Sequence, residues 1–269
     1  MDRSERILGN TRAIIFDLDD TLVSTRVADE RAYSVVKRLL RSEFARDEAQ
    51  TELIVENFRN ELARCPWDPS GNTHPWTWRR NLWEAVISKS CYNTGQFDPT
   101  TLQLASYKVT EVFRDARLSA LVINSACAKL FCELRTRGIG LGIITNGHAV
   151  IQREKLAACG AYNFFMPEHI CVGGEELLGG RTEKPHRSIF QHMCERLGVA
   201  PANAMFVGDN WTSDIRGSKE ANIGKSVYIS SISEADNVAV STSTSIFPTI
   251  EDFCVTAHKE LTDMDSTGV

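Results

Sequence analysis

The sequence predicts an α/β protein in which a doubly wound parallel sheet is interrupted, after its first strand, by an all-helical insert. Three observations favour this class. Short apolar runs alternate with helical patterns in the second half of the chain, which is typical of parallel strands joined by crossover helices. Glycines such as Gly138 and Gly198 follow helical patterns, as they do at helix ends. Residues 27–117, by contrast, contain helical and loop patterns without a convincing strand.

Short apolar runs mark the predicted strands. In chain order they are residues 13–19, 140–146, 169–174, 204–209 and 225–230. Runs of this kind are expected where a strand is buried between two layers of helices. Because the first run precedes the helical insert and the others follow it, both parts of the chain contribute to one sheet.

Apolar residues at helical spacing predict the helices. In the insert these are residues 29–44, 46–66, 78–90 and 99–115. Elsewhere they are residues 124–137, 149–158, 185–197, 213–221 and 249–261, and the Ser/Thr-rich residues 230–245 are predicted to form a loop. The predicted domains are therefore a core of residues 1–26 and 118–269 and a helical insert of residues 27–117.

Composition narrows the class of protein further. The chain has 269 residues, of which 42% are hydrophobic, and a formal net charge of −5. This composition is typical of a globular protein, and it lacks the basic excess of a nucleic-acid binder. No apolar run reaches the roughly 18 residues of a membrane span. The polar N-terminal residues and the lack of a CxxC pair favour a cytoplasmic protein with reduced thiols and without a zinc site.

Acidic residues end the first predicted strand. Asp17 and Asp19 are followed by Asp20 and Thr21. Because side chains alternate along a strand, Asp17 and Asp19 are expected to point to the same side. Two carboxylates held close together repel each other unless a cation or a shared proton intervenes. The alternative interpretation of the motif, taken by itself, is a solvated acidic turn after a strand.

Polar residues also follow two other strands and precede one helix. They are Thr145, Asn146, Gly147, Lys184, Asp209 and Asp214. A hydroxyl beside backbone N–H groups at a helix N-terminus forms an anion site, although Thr and Asn are also ordinary helix caps. The ends of parallel strands meet at one edge of the sheet, where open α/β sheets bind ligands. We therefore expect these residues to converge with Asp17 and Asp19.

Taken in order, these motifs resemble those of the haloacid dehalogenase-like hydrolase superfamily. Its phosphatases carry D-x-D-x-T, a Ser or Thr, a Lys and G-D-x-x-x-x-D, which match DLDDT (17–21), Thr145, Lys184 and GDNWTSD (208–214). The resemblance implies a Rossmann-like core with a helical cap that selects the substrate. It also implies a phosphatase rather than a dehalogenase, because a halide leaves without the proton that Asp19 would supply.

The resemblance implies a role for each core residue. Asp17 would be the nucleophile that forms an aspartyl-phosphate, and Asp19 the general acid and base. Mg²⁺ would be held by Asp17, the backbone carbonyl of Asp19 and Asp209. The phosphate would be bound by Thr145, Asn146, Gly147 and Lys184. Thr21 and Asp214 would support the site, Thr21 by fixing the turn after the acids and Asp214 by orienting Lys184 or a metal-bound water.

Further segments resemble a branch of the superfamily that acts on a small phosphorylated sugar acid. They include residues 145–160, residues 207–224 and a tryptophan- and arginine-containing pattern at 78–85. Since guanidinium groups bind carboxylates through two parallel hydrogen bonds, the candidates for recognising the sugar acid are Arg79, Arg80 and Arg117. Three alternatives remain open: a broad-specificity sugar or nucleotide phosphatase, a phosphosugar mutase, and a non-catalytic binding protein.

Overall fold

A computed structural model of the chain describes residues 6–90, 97–230 and 244–266. Of residues 264–266 it describes the backbone only. Its contacts divide the chain into two units, Met1–Ser24 with Val122–Val269 and Thr25–Leu121. The helical insert therefore extends slightly beyond the predicted residues 27–117 at both ends. None of the helices in the described residues has the length and apolar character that a bilayer span requires.

The first unit contains a six-stranded parallel sheet in the order β3-β2-β1-β4-β5-β6. Its strands are β1 (Ala13–Phe16), β2 (Gly140–Thr145), β3 (Ile170–Val172), β4 (Ala204–Gly208), β5 (Lys225–Ile229) and β6 (Thr244–Phe247). The chain winds outward from β1 in one direction and from β4 in the other, so the order reverses between these two central strands. Ligands bind at such a reversal in open α/β sheets. The predicted α/β class is confirmed.

Strand β1 is the buried centre of the sheet and positions the acidic motif. All its residues have 0% exposure, and it pairs in parallel with both β2 and β4. The predicted run of 13–19 is too long, because the regular strand ends at Phe16. The backbone N–H of Asp17 still donates to the carbonyl oxygen of Val207 over 2.8 Å, which holds Asp17 at the carboxyl end of the sheet. Asp20 then adopts φ 56°, a left-handed conformation that turns the chain away from the sheet.

The second unit is a group of four helices. They are α1 (Thr25–Phe44), α2 (Glu48–Arg64), α3 (Pro75–Ser90) and α4 (Pro99–Ser119). Asp47 and Asp98 cap α2 and α4 by accepting hydrogen bonds from backbone N–H groups of the first turn. The core is aromatic: Trp83 stacks on Phe58 with ring centroids 3.5 Å apart, and Phe113 packs edge-on against both.

Helices of the first unit connect the strands. They are α5 (Ser125–Thr136), α6 (Ala149–Ala158), α7 (Gly173–Leu178), α8 (Arg187–Leu197), α9 (Gly217–Glu220) and α10 (Ile250–Ser266). The predicted helix over 213–221 is a π-helical turn, Trp211–Arg216, followed by α9. Asn210 caps this turn by accepting from the backbone N–H groups of Thr212 and Ser213. These two hydrogen bonds fix the backbone between Asp209 and Asp214, which follow β4.

Two further elements differ from the sequence prediction. The predicted strand 169–174 ends at Val172, and helix α7 begins at once. A Cβ at Gly174 would lie 2.5 Å from the carbonyl oxygen of Gly147, so the start of α7 packs directly against the backbone of the turn after β2. The apolar pattern of residues 169–174 does not predict this contact. Strand β6 begins within the predicted loop 230–245, of which 231–243 lie outside the described residues. Its TSIF sequence is short and partly exposed at the sheet edge, so it has no strong strand pattern.

Trp83→Ala tests the aromatic core of the second unit. We expect it to lower the free energy of unfolding by about 3–5 kcal/mol, because it removes a fully buried indole from a packed core. Urea unfolding followed by circular dichroism measures the effect. Trp67→Ala is the control, since Trp67 is 40% exposed. Equal losses for the two variants would contradict the packing described here.

Candidate active site

Carboxylates from two strand ends converge at the carboxyl edge of the first unit's sheet. Asp17 follows β1, whereas Asp209 and Asp214 follow β4. One carboxylate oxygen from each lies within 4.8 Å of the others. Asp17 and Asp214 are buried and Asp209 is half-buried. The central position of β1 beside β4 brings these distant residues together, as the sequence predicts.

Lys184 joins two of these carboxylates. Its Nζ lies 2.5 Å from Asp17 Oδ1 and 2.8 Å from Asp214 Oδ1, and its side chain is only 3% exposed. The ammonium group therefore lies between the carboxylates that follow β1 and β4. This contact with Asp214 is the one that the sequence motif leads us to expect.

Asn146 holds the backbone of Lys184 in place. Asn146 Nδ2 donates to the Lys184 carbonyl over 2.7 Å, and Asn146 Oδ1 accepts from the Lys184 N–H over 3.0 Å. Both polar groups of the side chain are thus used to position the lysine. The side chain thus links the end of β2 to the loop that carries Lys184. That Asn146 binds phosphate stays a prediction, because its amide group has a second N–H.

The buried charges shift the pKa values of the groups that carry them. Burial raises the pKa of Asp17 to about 8, although the Lys184 ammonium acts in the opposite direction, and Asp214 and Asp19 add to the rise. Burial alone would lower the pKa of Lys184, but Asp17 and Asp214 outweigh it and hold the pKa above its ordinary value. Three carboxylates face one ammonium in this cluster, so a further cation would be stabilised here.

The oxygen donors fit a hard divalent cation. Asp17 and Asp209 present carboxylate oxygens, the ligands that Mg²⁺ prefers. Asp214 is less suited as a direct ligand, because Lys184 and the Ser213 hydroxyl donate to its Oδ1 and the Asn210 N–H donates to its Oδ2. Its contacts agree with a supporting position. The Thr21 hydroxyl lies 3.4 Å from Asp209 Oδ1, a long contact beside the same cluster.

Asp19 lies apart from the three-carboxylate cluster. Lys155 Nζ donates to its Oδ1 over 2.7 Å, and Gln152 Nε2 donates to its Oδ2 over 2.8 Å. Gln152 Nε2 also lies 2.5 Å from Thr145 Oγ1. Asp17 and Asp19 thus have different partners, although only one residue separates them.

Sequence reasoning missed Gln152 and Lys155. Both are buried on α6, in a helical pattern that also buries Ile151 and Leu156. A glutamine and a lysine at core-facing positions of an amphipathic helix are the signal that could have identified them, because such residues are rarely buried unless they have partners. Their partner lies more than 130 positions earlier in the chain.

The three candidate arginines belong to the second unit and differ in their surroundings. Arg79 is buried and lies over the Trp76 ring at 4.8 Å, whereas Arg80 is half-buried. Arg117 is buried and forms an ion pair with Asp29, in which Nε contacts Oδ1 and Nη2 lies 3.4 Å from Oδ2. Arg117 Nη1 is buried and has no hydrogen-bond partner among the described residues, so Arg117 as a ligand of a substrate carboxylate stays a prediction.

Comparison with known proteins identifies relatives over most of the chain. The model of the haloacid dehalogenase-like hydrolases matches residues 11–222. N-acylneuraminate-9-phosphatase from Mus musculus is 32% identical over 222 residues, which cover 82% of this chain and 84% of the relative. Glyceraldehyde 3-phosphate phosphatase from Methanopyrus kandleri is 30% identical over 213 residues, covering 79% and 81%. The crystal structure of 2-haloacid dehalogenase from Pseudomonas syringae shares the fold, with a TM-score of 0.61, 20% identity and coverage of 93% and 99%.

Mg²⁺ addition tests the carboxylate cluster. We expect saturating Mg²⁺ to raise Tm by about 5 °C or more, because a ligand that binds only the folded state stabilises it. Asp209→Asn should lose most of this shift. Differential scanning fluorimetry, with and without EDTA, measures it, and Asp115→Asn, which alters an exposed carboxylate of α4, is the control. An undiminished shift in Asp209→Asn would show that the ion binds elsewhere.

Proposed function

This chain belongs to the haloacid dehalogenase-like hydrolases, and we propose that it hydrolyses N-acylneuraminate 9-phosphate, a phosphorylated sugar acid, in a Mg²⁺-dependent reaction. Its family and its phosphatase relatives make it a phosphoric monoester hydrolase. The observation that carries the substrate is the 32% identity to N-acylneuraminate-9-phosphatase over 82% of this chain. The separate environments of Asp17 and Asp19 support the mechanism.

In the first step, an Asp17 carboxylate oxygen attacks phosphorus. A bond forms between that oxygen and phosphorus, the bond from phosphorus to the sugar oxygen breaks, and Asp19 gives its proton to the leaving sugar oxygen. Lys184 lies 2.5 Å from Asp17, where it orients the nucleophile and stabilises charge on the phosphoryl oxygens. Thr145 and the backbone at Gly147 lie at the neighbouring strand end and contribute to the anion site.

In the second step, water hydrolyses the aspartyl-phosphate. Asp19, now ionised, takes a proton from the attacking water, and the bond between phosphorus and the Asp17 oxygen breaks to release inorganic phosphate. Asp17, Asp209 and the backbone carbonyl of Asp19 would hold Mg²⁺. When bound, the ion supplies positive charge that lets the carboxylates and the phosphate dianion lie side by side.

We propose that the helical unit selects the substrate. Arg79, Arg80 and Arg117 are the candidates for the sugar carboxylate, and Arg117 is also paired with Asp29. A second candidate function is a less selective phosphatase. The 30% identity to a relative named glyceraldehyde 3-phosphate phosphatase favours it, since that name denotes a much smaller substrate.

A phosphate-release panel tests the proposed function. We expect Mg²⁺-dependent release from N-acetylneuraminate 9-phosphate with a kcat/KM at least about 10-fold above that for glyceraldehyde 3-phosphate, hexose phosphates and nucleoside monophosphates. EDTA and Asp17→Asn should each abolish release. Equal rates across the panel would favour the less selective phosphatase. Transfer of the phosphoryl group to a second sugar, without free phosphate, would identify a mutase instead.

Arg79→Met tests substrate selection by the helical unit. We expect the preference for carboxylated over neutral sugar phosphates to fall by about 10²-fold, because the carboxylate of the bound substrate would lose the guanidinium group of Arg79 as its charged partner. Steady-state kinetics on both substrate types measure the ratio of kcat/KM values. Arg64→Met, in α2, is the control because its side chain is 77% exposed. An unchanged preference in Arg79→Met would remove Arg79 from the substrate site.

A further inference from the structure

We propose that Gln152 and Lys155 of α6 are positioning residues for Asp19: together they fix the orientation in which its carboxylate transfers a proton to the leaving oxygen. This inference rests on the proposed phosphatase function and adds two residues to its machinery. Lys155 acts through Asp19, whereas Gln152 contacts both Asp19 and Thr145.

The two donors reach different oxygens of the same carboxylate. Lys155 Nζ lies 2.7 Å from Oδ1, and Gln152 Nε2 lies 2.8 Å from Oδ2. Residues three apart on a helix lie on the same face, so one rigid element supplies both contacts. A single hydrogen bond would leave the carboxylate free to rotate about that contact. Contacts to both oxygens define the plane of the group as well as its position.

The two donors are more deeply buried than the carboxylate that they contact. Lys155 and Gln152 are 4% and 2% exposed, whereas the Asp19 side chain is 30% exposed. A lysine buried to this extent is unfavourable unless a carboxylate pairs with it. The donors therefore hold Asp19 from the interior, while part of its side chain is accessible to solvent.

The two contacts from α6 give the carboxylate a defined orientation. An ionised carboxylate has about four acceptor positions, and the α6 donors occupy two of them. The directions of the other two are then fixed by the planar geometry of the group. A proton carried at one of these positions would have a defined direction, which proton transfer to a leaving oxygen requires.

Gln152 also connects Asp19 to the expected phosphate-binding threonine. Its Nε2 lies 2.5 Å from Thr145 Oγ1, so one amide group contacts residues that follow β1 and β2. This is possible because α6 begins just after the turn at Gly147, where φ is +114°. A Cβ at Gly147 would lie 3.4 Å from Gln152 Cδ, so the glutamine side chain packs directly against this turn.

Each acid of the D-x-D motif thus has its own buried ammonium. Lys184 contacts Asp17, and Lys155 contacts Asp19. The two lysines come from different elements, the loop before α8 and the helix α6. Their variants should therefore affect different parts of the reaction. Lys184 variants should affect the attack on every substrate, and Lys155 variants should affect the steps in which Asp19 gives or takes a proton.

Substrates with different leaving groups provide the test. p-Nitrophenolate leaves without a proton, whereas the alkoxide of a sugar phosphate needs one. We expect Lys155→Met and Gln152→Leu to slow phosphoryl transfer from the best sugar phosphate of the panel by about 10²-fold, with little change in KM. The burst of p-nitrophenolate from p-nitrophenyl phosphate, measured by stopped flow, should stay within about threefold of the wild-type rate in Lys155→Met. Gln152→Leu also removes the contact with Thr145, so we expect a loss on both substrates that is larger on the sugar phosphate.

Reference and control variants make the outcome specific. Asp19→Asn should show the same dependence on the leaving group, and Lys155→Arg, which keeps the cation, should recover part of the rate. Lys129→Met, which alters an exposed lysine of α5, should change neither rate. If Lys155→Met fails to fold, Gln152→Leu and Lys155→Arg carry the test.

The two possible failures are distinguishable. If the wild type is active on both substrates, equal losses in the rate of phosphoryl transfer from both in Lys155→Met and Gln152→Leu would overturn the positioning role and leave the phosphatase function intact. Rates equal to wild type in Lys155→Met and Gln152→Leu would overturn it as well. A wild type that hydrolyses neither substrate would overturn the proposed function, and this inference with it.

Discussion

The ion pairs of Lys184 with Asp17 and Asp214 are the interaction on which the candidate site depends. Carboxylates buried within 4.8 Å of one another repel strongly, and the rise in the pKa of Asp17 to about 8 reflects that burial. The lysine offsets part of the repulsion from a position where its own charge is almost completely buried. Several neighbouring contacts serve this arrangement: Asn146 fixes the lysine backbone, and the Asn210 N–H orients Asp214.

The sheet topology makes this convergence possible. Because β1 lies between β2 and β4, the residues that follow these three strands emerge side by side, although they are far apart in the chain. The π-helical turn after β4 and the short connection from β2 to α6 then determine which side chains point back toward β1. The carboxylates and Lys184 thus lie just beyond the ends of rigid elements, which gives them the accurate placement that reaction chemistry requires.

The same geometry separates the two acids of one short motif. A regular strand would place Asp17 and Asp19 in similar surroundings, but the chain leaves the sheet after Asp17 and turns at Asp20. Asp17 consequently lies with the β4 carboxylates, whereas Asp19 lies with two donors from α6. Different partners suit the roles proposed for the two residues, since one would attack phosphorus and the other would exchange a proton.

The sequence alone determined the α/β class, the interrupted sheet and the order of polar residues at the strand ends, because these depend on local periodicity and on short motifs. It did not reveal β6 or α7, whose patterns are short or dominated by glycine. Only the tertiary structure decided the side-chain partners: Asn146 on the Lys184 backbone, Lys155 on Asp19, and Arg117 on Asp29. These contacts join residues 38, 136 and 88 positions apart. They depend on strand register and helix placement, which local sequence patterns do not encode.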